Sequence, residues 1–342
     1  MYAVKIRAKR YGSRLFFRGN DMKLGIIANG LQDKPLDEAL RIFADLGIEK
    51  FEPGCGGCAG KAHVNPQELL ADPAKLQKFK DVQKETGVSV SVLSCHGNPI
   101  HPNRELAASD DRDMRDAVRL AGELGIDTIS CFSGCAGDSP DSHYPNWVTC
   151  SWPEDYMTIL RYQWEDVLVP YWKEFVEFAK GYGVSKIALE MHPGFMVHNS
   201  ETAKRIHREV GPEMGVTFDP SHLVWQGMDP VAVIRELGDM IYNVHAKDVK
   251  VDRINTSVNG VLDTKHYSDE IHRSWIFRTV GYGHGAEYWK DIFSALRMVH
   301  YDGTISIEHE DSLINRDEGL KKAVALIRDC LIVESHTDMW WA

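Results

Sequence analysis

A short β-prone apolar run followed by a longer amphipathic stretch recurs eight times along this 342-residue chain. That recurrence limits the possible folds more than any other feature. The runs are KLGIIANG (23–30), KFEPGC (50–55), VSVLSCHGN (90–98), TISCFSG (128–134), KIALEMH (186–192), GVTFDPSH (215–222), IYNVHAKD (241–248) and TISIEHED (304–311). Helical stretches lie between them, for example 36–46, 66–86, 110–124, 153–182 and 287–299. Several of these end in LGI, TGV, LGI or YGV (46–48, 86–88, 124–126, 182–184), where glycine suits a left-handed helix cap and a β-branched residue opens the next strand.

Strands alternating with helices predict a parallel sheet, and eight such units predict a (β/α)8 TIM barrel. An open doubly wound sheet is the alternative. It requires a phosphate-binding glycine fingerprint after the first strand, which ANGLQDKP does not supply, and GYGHG (281–285) follows no strand. The expected organisation is one barrel domain over 22–342, with a long excursion at 249–285 that exceeds ordinary connections and suits a lid or an interface.

With 43% hydrophobic and 26% charged residues and a net charge of −11, the chain reads as a soluble globular protein, and its acidity opposes a phosphate-tracking nucleic-acid surface. No window approaches the roughly 18 apolar residues of a membrane span. Residues 1–21 carry six Lys or Arg and one Asp, without the apolar region of a secretory signal, and are expected to be a disordered extension. Seven cysteines, six of them in the first half, suggest free thiols in a reducing, cytoplasmic compartment. The CGGC at 55–58 has metal-pair spacing, but no second pair of that spacing follows.

Chemistry concentrates where the later strands end. Strand five ends in Glu190 and His192, strand six in Asp219 and His222, strand seven in His245, Lys247 and Asp248, and strand eight in Glu308 and Glu310. Barrel active sites lie at the C-terminal strand ends, and residues two apart on a strand share a face. Glu190, Asp219, His245 and Glu308 are therefore expected to converge. Three carboxylates so gathered repel one another unless some are protonated or a cation stands among them, and three carboxylates with one imidazole suit Mn²⁺, Mg²⁺, Co²⁺ or Zn²⁺.

ALEMHPGFMVHN, GVTFDPSHL, NVHAKD, GYGHG and ISIEHED, in this order and spacing, resemble the sugar isomerase/epimerase family with the xylose isomerase-like barrel. That family includes tagatose epimerase-type enzymes and endonuclease IV. The resemblance implies a divalent metal, most often Mn²⁺, held by Glu190, Asp219, His245 and Glu308. It also implies a proton abstraction beside the carbonyl of a keto-sugar, with Glu190 and Glu308 as the acid and base, and a substrate-contacting His222. His192 departs from the epimerase pattern and is a candidate fifth ligand or additional base. EMHPG with DPSHLVWQG also resembles the metal-dependent subunits of C-glycoside deglycosidases, which eliminate an aglycone from a keto-glycoside and work with a small second subunit. An endonuclease IV-like hydrolase is the third reading; it needs a three-metal cluster and a basic surface.

Around the mouth, His96, Asn98 and His101 follow strand three, Lys247 shares the face of His245, and Trp147, Trp152 and Trp225 are candidates to stack on a sugar or aglycone. Arg278, with Arg253, His266, His272 and Arg273, lies on the excursion, from which it can reach a substrate or a neighbouring subunit. The terminal MWWA (339–342) suits a subunit contact, so a homo-oligomer is expected.

Overall fold

The structure, a computed structural model, describes residues 22–334 and 341. The extension expected at 1–21, and all of the terminal MWWA except Trp341, lie outside the described residues. Eight parallel strands make one ring. They are β1 (Lys23–Ile27), β2 in two pieces (Lys50–Glu52 and Gly54–Gly57), β3 likewise (Ser89–Val90 and Leu93–His96), β4 (Thr128–Cys131), β5 (Lys186–Glu190), β6 (Met214–Phe218), β7 (Ile241–Ala246) and β8 (Thr304–Ile307). Each strand from β3 onward pairs with the next, and β8 pairs with β1. The first piece of β2 bonds β1 and the first piece of β3, while its second piece bonds the second piece of β3. The ring therefore closes, which an open sheet cannot do.

Helices sheathe the ring. Those expected from periodicity are present, with local chemistry setting their breaks. The 66–86 stretch divides into Pro66–Ala71 and Pro73–Thr86, because Pro73 cannot donate to a preceding turn and Asp72 caps the second helix, accepting from Ala74 N and Lys75 N at 2.9 and 3.2 Å. The 153–182 stretch passes through a π turn at Gln163–Leu168, just before Pro170 removes another amide donor. Gly47, Gly87, Gly125 and Gly183 take left-handed backbone at the four expected helix ends. The run 215–222 stops as a strand at Phe218, because Asp219 caps the helix Pro220–Trp225 through Ser221 N at 2.8 Å.

The excursion after β7 is ordered. Asp248–Val251 pairs antiparallel with Trp275–Arg278, and a short helix, Arg253–Asn259, lies between them. Trp225 stacks on Trp275 with centroids 4.6 Å apart, so Trp225 is part of this ribbon's core. Trp152 stands 75% exposed on the surface.

Barrel interiors are usually filled by bulky branched side chains. Here, on the six strands β3 to β8, one two-residue step down from the mouth leads to a small or polar residue: Ser94, Ser130, Ala188, Thr217, Asn243 and Ser306, all buried. Ser130 and Thr217 hydroxyls meet at 2.7 Å. This layer leaves room for the wholly buried Glu52, whose carboxylate enters it from β2.

The turn that closes β2 approaches β3 tightly. Gly57 has φ +62°, and a Cβ there would stand 2.2 Å from the His96 carbonyl oxygen, while Cys58 N donates to that same oxygen at 2.9 Å. Gly57→Ala is expected to destabilise the protein by at least about 1–3 kcal/mol, the usual range for a side chain forced into left-handed backbone. Urea unfolding should show a lower midpoint with an unchanged slope.

Candidate active site

A cavity of about 520 Å³ opens at the C-terminal ends of the strands. Its floor is charged, with Glu190, His245 and Glu308 at the bottom and His96, His192, Lys247 and Glu310 around them. Its walls include Ile27 and Phe132 from strand ends and Tyr267, Ile276 and Phe277 from the excursion, which thus forms one side of the cavity. The expected pairs Glu190 with His192, His245 with Lys247, and Glu308 with Glu310 all face it, as alternation along a strand requires.

Glu190, Asp219, His245 and Glu308 each offer one ligand atom, and the four atoms lie within 4.8 Å of one another. Asp219 Oδ2, His245 Nδ1 and Glu308 Oε2 are buried without a hydrogen-bond partner among the described residues, although the last two are only 3.3 Å apart. Buried acceptors left in that state are costly, and a cation is the species that satisfies several at once. This set therefore fits a divalent ion. Among the described residues it is the one group of three or more His, Cys, Asp or Glu so placed, whereas an endonuclease-type three-metal cluster needs more. CGGC contributes no such group: Cys55 is buried, Cys58 faces the cavity, and both are free thiols.

The electrostatics record the crowding. Burial pushes the Asp219 carboxyl up to about 8, with Glu308 and Glu190 adding to the rise against the pull of Lys247. Glu308 behaves oppositely. Burial works against its charge, but the Lys247 ammonium at 3.1 Å and the His245 ring bring it down to about 2. Glu190, also opposed by burial, is held well below the usual range by His222 Nε2 at 3.3 Å and His96 Nε2 at 2.9 Å. Despite burial, Lys247 stays charged well above the ordinary lysine range, between Glu308 and Glu310 (2.7 Å) and over the Phe277 ring at 4.3 Å. Burial keeps His192 neutral, and burial with the neighbouring His192 ring brings His222 down to about 3.

The other expected site residues separate by place. His222 is buried, its Nε2 also 3.4 Å from Asp219 Oδ2, so it touches the carboxylates of Glu190 and Asp219 instead of lining the cavity. His192 lines the cavity, its ring tilted 53° to that of His222 with centroids 4.0 Å apart, and lies outside the four-residue cluster. Asn98 does not line the cavity: its amide is engaged at both ends with the Cys135 backbone, at 2.9 and 3.0 Å, and ties one loop to another. Trp147 packs edge-on against His198 in a separate cleft. Arg278 is held at the rim by Asp311, at 3.1 Å, and Arg273 is buried under Tyr267 and Trp275.

One residue that reasoning from strand ends passed over is Glu52. It accepts from His245 Nε2 at 3.1 Å, from Asn243 Nδ2 at 3.1 Å and from Ser94 Oγ. Burial disfavours its charge, but the His245 ring keeps it ionised. The available signal was a lone acid inside KFEPGC, in the first half of the chain, where no second acid or imidazole drew notice.

Comparison with known proteins places this geometry in context. YfiH of Bacillus subtilis (strain 168), described as uncharacterized, is 39% identical over 313 residues, covering 91% of this chain and 99% of its own. An inosose dehydratase of Geobacillus thermodenitrificans (strain NG80-2) is 27% identical over 146 residues, 42% of this chain and 47% of its own. A crystal structure of D-psicose 3-epimerase in the presence of D-fructose superposes with a TM-score of 0.58 at 15% identity, covering 91% of this chain and 99% of that one. Residues 40–330 match the family described as xylose isomerase-like TIM barrel, and the closed eight-strand ring agrees with it. The chain belongs to the xylose isomerase-like TIM barrel family.

Proposed function

We propose that this protein is a divalent-metal-dependent sugar isomerase or epimerase that abstracts a proton beside the carbonyl of a keto-sugar or related polyol. The observation that carries the reading is the convergence of Glu190, Asp219, His245 and Glu308, three of which, Glu190, His245 and Glu308, line the cavity. Those four residues would hold the ion, with Mn²⁺ the metal favoured by the family resemblance. Bound there, it supplies Lewis-acid stabilisation of the negative charge that develops on the carbonyl oxygen.

The chain's own groups do the rest. Glu190 and Glu308 stand on β5 and β8, three strands apart around the ring, so carboxylates approach a substrate carbon from two directions. One takes the proton and the other returns it, on the opposite face for an epimerisation or at the neighbouring carbon for an isomerisation. His192, neutral and facing the cavity, is a further proton acceptor. Lys247 and His96 donate to substrate oxygens, and Phe132, Tyr267 and Phe277 exclude water from the reacting carbon. His222 orients Glu190 from below.

The inosose dehydratase match supports a second reading, in which the same proton abstraction is followed by loss of a β-substituent. Lys247, held charged, would then hydrogen-bond to the departing oxygen, and the carboxyl group that took the proton from carbon would pass it to that oxygen. Water would be the leaving group in a dehydration, and an aglycone in deglycosylation of a keto-glycoside. The small second subunit implied by the deglycosidase resemblance belongs to this reading, as a homo-oligomer does to the first.

Incubating the Mn²⁺-loaded protein with keto-sugars and inososes in D₂O separates these outcomes. Deuterium beside the carbonyl with unchanged connectivity marks isomerisation or epimerisation; a product lighter by one water, or a released aglycone, marks elimination. Absence of any exchange across the panel sinks the proton-abstraction reading. Glu308→Gln should slow exchange by about 10²–10⁴-fold, the usual worth of a positioned acid or base. Chelation should abolish exchange and Mn²⁺ should restore it.

Metal uptake should depend on pH in a defined direction. Ligands bind deprotonated, and Asp219, with its carboxyl near 8, holds a proton at neutral pH in the metal-free protein. His245 holds one too, since against the penalty of burial the Glu52 and Glu308 carboxylates keep it well above the ordinary histidine range. Mn²⁺ binding at pH 7 should therefore release protons, and affinity should rise as pH increases from 6 through 8. Calorimetric titration in buffers of different ionisation enthalpy measures both.

A further inference from the structure

Beneath the four converging groups, Glu52 is buried without any exposed surface at a place where a barrel of this kind usually packs a branched hydrocarbon. Removing a carboxylate from water costs several kcal/mol unless its neighbours compensate. Three donors do so, and they come from two strands: Ser94 Oγ on β3, and Asn243 Nδ2 and His245 Nε2 on β7. Asn243 Nδ2 also lies 3.2 Å from His245 Nε2, and since both donate to Glu52 it is the carboxylate that joins β2, β3 and β7 under the site.

The arrangement constrains the imidazole. Glu52 is acceptor-only when ionised, so the His245 nitrogen facing it at 3.1 Å must carry a hydrogen. The other nitrogen, Nδ1, points the opposite way, to 3.3 Å from Glu308 Oε2 and 3.9 Å from Glu190 Oε1.

We infer that Glu52 is the positioning residue of the cation site: by accepting the Nε2–H of His245 it fixes the ring's tautomer and rotation and presents the Nδ1 lone pair to an ion shared with Glu190, Asp219 and Glu308. The inference rests on the cation reading of that cluster and goes beyond it, since the convergence of the four groups does not by itself set which nitrogen of His245 is free. Outer carboxylates of this type are generally worth about 10–100-fold in metal affinity.

The test uses binding and spectroscopy instead of turnover. Free Mn²⁺, followed by electron paramagnetic resonance during titration of the full chain, gives the dissociation constant directly. Glu52→Gln, which keeps the shape and one acceptor but loses the charge, is expected to weaken Mn²⁺ binding by about 10-fold, and Glu52→Ala by about 100-fold. Both within about twofold of the unaltered protein would overturn the inference while leaving the cation site standing. The second measurement needs no variant, so it decides the matter even if the substitutions prevent folding. In the Zn²⁺-loaded, ¹⁵N-histidine-labelled protein, His245 should show a protonated Nε2 and a metal-bound Nδ1. A protonated Nδ1 with the metal on Nε2 overturns it. If the unaltered protein takes up neither ion, the cation reading itself falls, and this inference with it.

Discussion

Like charges brought together at the mouth of a barrel are the constraint on which the rest of this structure turns. Glu190, Asp219 and Glu308 are delivered by three different strands to within ligand distance of His245, in a place shielded from water. Without compensation the cheapest response is to protonate one of them, and the rise of Asp219 toward 8 is that response. The surroundings share the load unequally. Lys247 and two histidines stabilise Glu308 and Glu190, whereas Asp219 has one oxygen occupied in capping the next helix and the other without a hydrogen-bond partner among the described residues. A doubly charged ion fits this set of donors.

Barrel geometry supplies the convergence, and the layer beneath supplies the precision. Alternation turns every second residue inward, so the same strands that raise Glu190, His245 and Glu308 to the mouth lower Ala188, Asn243 and Ser306 into the interior. Those lower residues are small or polar, and the space they leave is occupied by Glu52 and its three donors. A hydrocarbon layer would pack as well, but would leave the His245 ring free to choose its tautomer. The barrel core thus extends the chemistry of the mouth downward.

The excursion between β7 and β8 gives the cavity its second character. Its Tyr267, Ile276 and Phe277 form an apolar wall opposite charged groups, and Trp275, stacked on Trp225, lies in the buried cluster behind the ribbon. Asp248 ties the base of the excursion shut by accepting from Gly281 N, Gly283 N and His284 N, which is how GYGHG contributes without touching a dinucleotide. Polar floor and apolar wall together suit a polyhydroxylated ligand with one less polar face.

Periodicity and punctuation in the sequence were enough for the eight units, their order, the glycine helix ends and the four residues of the cluster, because these depend on local spacing: period two along a strand, a cap at each helix end, and an acid or imidazole after an apolar run. The positions of Asn98, Trp147 and Arg278 depended on neighbours distant in sequence, Cys135, His198 and Asp311, with which each is engaged. The same is true of Glu52, which meets His245 across 193 positions of sequence. Strand-end chemistry is legible in one dimension because the barrel's symmetry repeats it. Which polar side chains face the cavity, and which spend their hydrogen bonds on one another, was decided only when the ring closed and brought β2 beneath β7.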